Sequence, residues 1–245
     1  MTVSSGARIR VRVNGTGPPV LLLHGWPQTS AMWHRVRPAL ATAHTVVAAD
    51  LPGYGDSTLP PGAGVEASGK RAMARDMAET MAGLGHDRFA VVGHDRGARC
   101  GFRLALDHPD RVVALAALDI LPTADVLARA DARFARGAWH WFLLSQPADL
   151  PERLIASDPE AVLGRGLAAV CEPDAMAAYR VAWARPDVVR GMCQDYRAGF
   201  DVDRADDEAD RGRRWIRCPV RVLWAERGPL GAVPDVLDVW RGWAP

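Results

Sequence analysis

A chain of 245 residues, 49% hydrophobic and 24% charged, can bury one good core and fold a second element over it. Its formal net charge of +1 argues against nucleic acid or an anionic membrane surface as a partner. No stretch reaches the apolar length that crosses a bilayer, and residues 1–13 lack a signal-peptide core, so the expected compartment is the cytoplasm.

Arg8 to Val13 alternate polar and apolar, as a half-exposed strand does, and Asn14-Gly15 offers a hairpin turn. Pro19 to Leu23 is a short, fully apolar run, the mark of a strand covered on both faces. Thr45 to Ala49, Phe89 to Val92, Val112 to Leu118 and Val220 to Trp224 repeat that type, with helix-like segments such as Ala72 to Leu84 between them. The alternation predicts an α/β fold with a mainly parallel sheet. Between Pro122 and about Phe200 the rhythm stops, and the sequence is helix-like, rich in Ala, Arg, Trp and Pro. That segment reads as a helical cap over the carboxyl ends of the strands, where open α/β sheets bind ligands. The expected division is core 1–121, cap 122–200 and returning core 201–245. Cys100, Cys171, Cys193 and Cys218 have no metal-binding spacing and read as reduced residues; no metal or organic cofactor is expected.

Gly93-His94-Asp95-Arg96-Gly97 joins a strand to the helical segment Ala98 to Ala105. Strand, turn and helix in this order make a nucleophile elbow with Asp in the serine position. A glycine-x-acid-x-glycine string alone would favour a helix-capping Asp, and its context reverses that preference. His24-Gly25-Trp26-Pro27 follows the Pro19 to Leu23 strand, so the backbone N–H groups of Trp26 and Arg96 are the candidate oxyanion donors. Asp50 to Ser57 (DLPGYGDS) reads as a structural turn. Asp119, at the end of its strand, could orient a catalytic histidine, and Glu226, after the Val220 to Trp224 strand, is the alternative.

HGWPQT, DLPGYGDS, GHDRGAR, LDILPT, the WHW of the cap and MCQDYRAG together resemble the fluoroacetate (haloacetate) dehalogenases of the α/β-hydrolase superfamily, along the whole chain. The resemblance implies Asp95 as the nucleophile that displaces halide, with Asp119 as the acid. It implies Arg96 and Arg99 as a clamp for the substrate carboxylate, and His140, Trp141 and Tyr196 as the halide's hydrogen-bond donors. It also implies a small anionic haloacid as partner, and a homodimer. Epoxide hydrolases share the GHD nucleophile and use two cap tyrosines, for which Tyr179 and Tyr196 are available. A non-catalytic binding protein is the alternative from another class.

In this fold the catalytic histidine follows the acid, one strand beyond Trp224. The seven histidines are His24, His34, His44, His86, His94, His108 and His140, and none follows the cap. The expectation is therefore a C-terminally truncated dehalogenase, its last strand and helix missing, that alkylates Asp95 but is impaired in hydrolysing the ester.

Overall fold

One six-stranded sheet, in the order β1-β3-β2-β4-β5-β6, forms the centre of the computed structural model, which describes residues 1–245. The strands are β1 (Val11–Asn14), β2 (Pro19–Leu23), β3 (Thr45–Ala49), β4 (Phe89–His94), β5 (Val112–Leu118) and β6 (Val220–Leu223). All neighbours are parallel except β1, which lies antiparallel to β3 with Val13 opposite Val47. The fully apolar runs Pro19 to Leu23 and Thr45 to Ala49 become β2 and β3, buried on both faces, and the alternating Arg8 to Val13 segment supplies the edge strand β1. Val220 to Trp224, expected to be covered like them, is instead the half-exposed edge β6, with Arg221 and Leu223 facing outward. The Asn14-Gly15 turn does not close a hairpin onto β2. Gly15, at φ 74, packs so tightly on the backbone of Ala41 and His44 that a Cβ there would fall 2.3 Å from their carbonyl oxygens, and β1 pairs beyond β3 instead.

The crossovers carry α1 (Val36–Leu40), α2 (Lys70–Gly83) and α3 (Arg96–Asp107). Between β5 and β6 there is no strand. That span holds α4 (Thr123–Ala128), α5 (Ala132–Gly137), α6 (Trp139–Leu144), α7 (Leu150–Ser157), α8 (Pro173–Trp183), α9 (Pro186–Ala198) and α10 (Arg204–Asp210). A final helix, α11 (Val236–Arg241), lays Trp240 and the following Trp243 edge-on against Phe102 of α3. No helix is long and apolar enough to cross a membrane.

The helical layer shares its core with the sheet. One cluster of 47 buried residues runs from Leu21, Val47 and Leu115 to Trp141, Tyr179, Trp183 and Met192. Two contacts fix its position. The Trp183 indole donates to the Pro27 carbonyl at 2.7 Å, and Gly191 of α9 meets Gly53 so closely that a Cβ at 191 would lie 2.3 Å from the Gly53 carbonyl oxygen. The DLPGYGDS turn presents Gly53 because Asp50 folds it, its two oxygens accepting from the amides of Ser30 (2.7 Å) and Asp56 (3.0 Å).

Candidate active site

Asp95 sits between β4 and α3 at φ 47, ψ −117, a conformation few non-glycine residues adopt. The glycines on either side make the turn feasible. A Cβ on Gly93 would lie 2.5 Å from the Gly97 carbonyl oxygen, and one on Gly97 would lie 2.4 Å from those of Leu23 and His24. Asp95 occupies the N-cap position of α3, yet its carboxylate makes no capping bond. Its Oδ2 instead accepts the Trp26 N–H at 3.0 Å, and no bond joins it to the Arg96 amide. Burial pushes the Asp95 carboxyl up, but the charges of His94, Arg96 and Arg99 and the Trp26 amide more than offset this, leaving it below the ordinary carboxylate value. Asp95 is therefore a carboxylate at neutral pH, held by one oxygen.

His24 is occupied in shaping its loop: Nδ1 meets the Gly25 carbonyl at 2.8 Å and Nε2 accepts the Leu51 N–H at 3.0 Å. Burial lowers its proton affinity, so the ring is neutral.

Arg96 and Arg99, which the sequence treats as an equal pair, have different surroundings. Arg96 is completely buried and gives most of its donors to Asp195 of α9: Nε to Oδ2 at 2.9 Å, Nη2 to Oδ1 at 2.5 Å and to the backbone carbonyl at 2.8 Å. Only its Nη1 lacks a partner. Arg99, 4% exposed, forms no ion pair; Nη1 donates to the Leu121 carbonyl at 2.6 Å and Nε is unpartnered. Burial and the neighbouring Arg96 charge lower its proton affinity, to about 10, so it is still cationic at neutral pH. A buried guanidinium without a carboxylate carries a desolvation cost that an anion would offset.

Aromatic residues enclose the space beside these charges. His140 stacks on Trp26 at 4.4 Å with an interplanar angle of 6°, and Tyr196 stands edge-on to Trp26, His140 and Trp141. Arg96 lies over the Tyr196 ring at 4.5 Å and Arg99 over the Trp141 ring at 4.8 Å. The Tyr196 hydroxyl and the Trp26 indole N–H are buried without partners, and burial lowers the His140 pKa to about 4, which makes the ring neutral. Tyr196 feels the charge of Asp95. Tyr179 does not belong to this group, packing instead near Trp183, Cys171 and Gln28.

The two candidate acids have different surroundings. Asp119 leaves β5 at φ 57, its N–H donating to the Leu223 carbonyl at 2.7 Å, and its Oδ1 is buried without a partner. Burial raises its proton affinity, the His94 charge opposes this, and Asp95 adds to it, so Asp119 lies within the field of the nucleophile. Glu226 is exposed.

Three residues to which the sequence assigned no role in the site complete the surroundings: Lys70, Tyr54 and Asp195. The available signals were that Lys70 is the single lysine among 30 basic residues and that Tyr54 and Asp195 fall within DLPGYGDS and MCQDYRAG.

A family model of the α/β-hydrolase fold matches residues 18–245. The chain is 45% identical over 236 residues to a fluoroacetate dehalogenase of Burkholderia sp, covering 93% of this chain and 77% of that protein. It is 35% identical over 251 residues to a soluble epoxide hydrolase of Corynebacterium sp. (strain C12), covering 97% and 82%. The crystal structure of ALR0039 from Nostoc sp PCC 7120 superposes with a TM-score of 0.93 at 47% identity, covering 97% of this chain and 84% of that one. The chain belongs to the α/β-hydrolase superfamily. Within it the protein is an enzyme of the hydrolase type, similar to a dehalogenase across nearly its whole length.

Proposed function

We propose that this protein displaces halide from a small 2-haloacid such as fluoroacetate or chloroacetate by attack of Asp95. The observation that carries the reading is Arg99, a buried cation without a carboxylate, one helical turn from the nucleophile and beside the free Nη1 of Arg96. A substrate carboxylate received there by forked guanidinium donors would present its α-carbon to Asp95.

In the first step Asp95 Oδ1 forms a bond to the α-carbon as the carbon–halogen bond breaks, and the electron pair leaves with the halide. His140, Trp141 and Tyr196 have N–H and O–H groups for that developing charge. In the second step water attacks the Asp95 carbonyl carbon, and the Trp26 N–H already bound to Oδ2 receives the oxyanion. Loss of a proton and cleavage of the ester bond then release the 2-hydroxy acid. That step needs a base, and the buried, unpartnered Asp119 Oδ1 is the acid that would orient one.

The test is halide release together with intact mass. On incubation with chloroacetate the protein gains one carboxymethyl group, located on Asp95 by peptide mapping, and Asp95→Asn gains none. Release of halide by Asp95→Asn would overturn the assignment.

The epoxide hydrolase reading draws support from the Corynebacterium relative. Against it, only Tyr196 of the two cap tyrosines faces Asp95, leaving an epoxide oxygen one tyrosine donor instead of two.

A further inference from the structure

We infer that Asp195, Lys70 and Tyr54 form a positioning unit that fixes Arg96 and preserves its positive charge for a substrate carboxylate. The inference rests on the haloacid reading of Arg96 and Arg99, and it turns on four fully buried groups from four separate parts of the chain.

Asp195 lies on α9, completely buried, next to Tyr196. Its Oδ2 accepts from the Tyr54 hydroxyl at 2.6 Å and from Arg96 Nε at 2.9 Å, and its Oδ1 receives both Arg96 Nη2 and the Lys70 ammonium. Its backbone carbonyl takes Arg96 Nη2 as well. Every donor on one edge of the Arg96 guanidinium is thereby used, and the plane is clamped against the Tyr196 ring. The only remaining direction of donation is Nη1, buried and unpartnered. A long side chain with several rotamers thus presents one donor in one direction, so little ordering is left to the moment of binding.

Geometry alone would create an electrostatic problem. A carboxylate paired closely with Arg96 cancels most of the field that Arg96 would exert on a substrate anion. Lys70 counters this. Its ammonium sits on the other side of Asp195, 1% exposed, and offsets the Asp195 charge. Asp203 is the second acid of the cluster: its Oδ1 accepts the Lys70 backbone N–H at 2.6 Å, and its Oδ2, without a hydrogen-bond partner, lies 3.7 Å from the ammonium and 3.9 Å from Arg96 Nη2. The four groups sum to one positive charge when Asp203 is protonated, the form that its burial favours, and without Lys70 that charge is lost. A lysine suits this task because its compact point charge fits behind a carboxylate already occupied by a guanidinium fork. In a chain that otherwise uses arginine throughout, this position alone is lysine.

The DLPGYGDS turn acquires a purpose by the same route. The close meeting of Gly53 with Gly191, one turn of α9 before Asp195, brings the Tyr54 hydroxyl onto the Asp195 carboxylate.

The test compares carboxylates with uncharged analogues. Glycolate, chloroacetate and chloroacetamide are titrated by fluorescence of the site tryptophans against the whole chain in an Asp95→Asn background, where no ester forms. The otherwise wild-type protein, Lys70→Met, Lys70→Arg and Tyr54→Phe are compared, with thermal melts to confirm folding. The expected result is a roughly tenfold loss of carboxylate affinity in Lys70→Met, with chloroacetamide affinity unchanged and partial recovery in Lys70→Arg. Tyr54→Phe, which leaves the charges in place and so retains the fold if Lys70→Met does not, should lose carboxylate affinity about threefold on the same criterion. Equal loss for chloroacetate and chloroacetamide, or none in either variant, would overturn the inference. Failure of the otherwise wild-type protein to bind any of the carboxylates would overturn the haloacid reading itself, and this inference with it.

Discussion

Arg96 and Arg99 stand one helical turn apart on α3, and only Arg96 has a carboxylate of the protein as its partner. Arg99 is therefore the cation whose charge is most available to an incoming anion. Arg99→Leu should raise KM for chloroacetate about a hundredfold while leaving the melting temperature equal or higher, because a buried unpaired charge has been removed. Arg99→Lys should recover less than half of that in free-energy terms, since an ammonium cannot reproduce the fork. A KM unaltered in Arg99→Leu would show that the substrate carboxylate binds elsewhere.

The two cap tyrosines separate dehalogenation from epoxide opening. Tyr196→Phe should slow fluoride release by about tenfold, with a smaller effect on chloride, because fluoride gains more from each hydrogen-bond donor. Tyr179→Phe should leave both halide rates within about twofold. If an epoxide were opened, and Tyr179→Phe abolished that opening, the epoxide hydrolase reading would replace the present one.

His140 links the site to stability. Its imidazole takes up a proton at about 4 in the folded protein, mainly because burial penalises the cation, against an ordinary value of 6.5. Between those values the unfolded chain binds more protons, so this residue makes stability rise with pH through that window and fall as pH drops from 6.5 towards 4. His140→Phe, which keeps the stacking on Trp26, should flatten that part of the profile. Parallel melting-temperature curves for variant and wild type between pH 4 and 7 would rule out the assignment.

The elbow glycines are testable by contrast. A Cβ at Gly97 would meet the backbone of Leu23 and His24 at 2.4 Å, where nothing can move without distorting β2. Gly97→Ala should cost about 3 kcal/mol or more, or prevent folding. Gly137, at the end of α5, has nothing within 4 Å of its Cβ position, and Gly137→Ala should be neutral or stabilise by up to about 1 kcal/mol. Chemical denaturation of the two variants would decide the matter.

The parts of this molecule legible in its sequence were those governed by local pattern. The apolar runs marked the strands, and Gly93 to Gly97 marked the elbow, because tight backbone turns constrain residue type within a few positions. The partner of β1 was not legible: a turn dipeptide such as Asn14-Gly15 says that the chain reverses, not which strand lies beside it. The different surroundings of Arg96 and Arg99 were hidden for a related reason. Asp195 is 99 positions from Arg96, and no spacing rule spans that distance. Likewise the contrast between Asp119 and Glu226 was hidden: the Oδ1 of the first is buried in the field of Asp95, while the second residue is exposed.

Lys70 also gives the folded protein an unusual surface chemistry. With the only lysine of residues 1–245 enclosed beneath α9, an acylating reagent in native solution meets no exposed lysine amine among them. Label on Lys70 would appear only in molecules that have opened enough to release it, so acylation mapped to Lys70 reads out separation of the cap from the sheet.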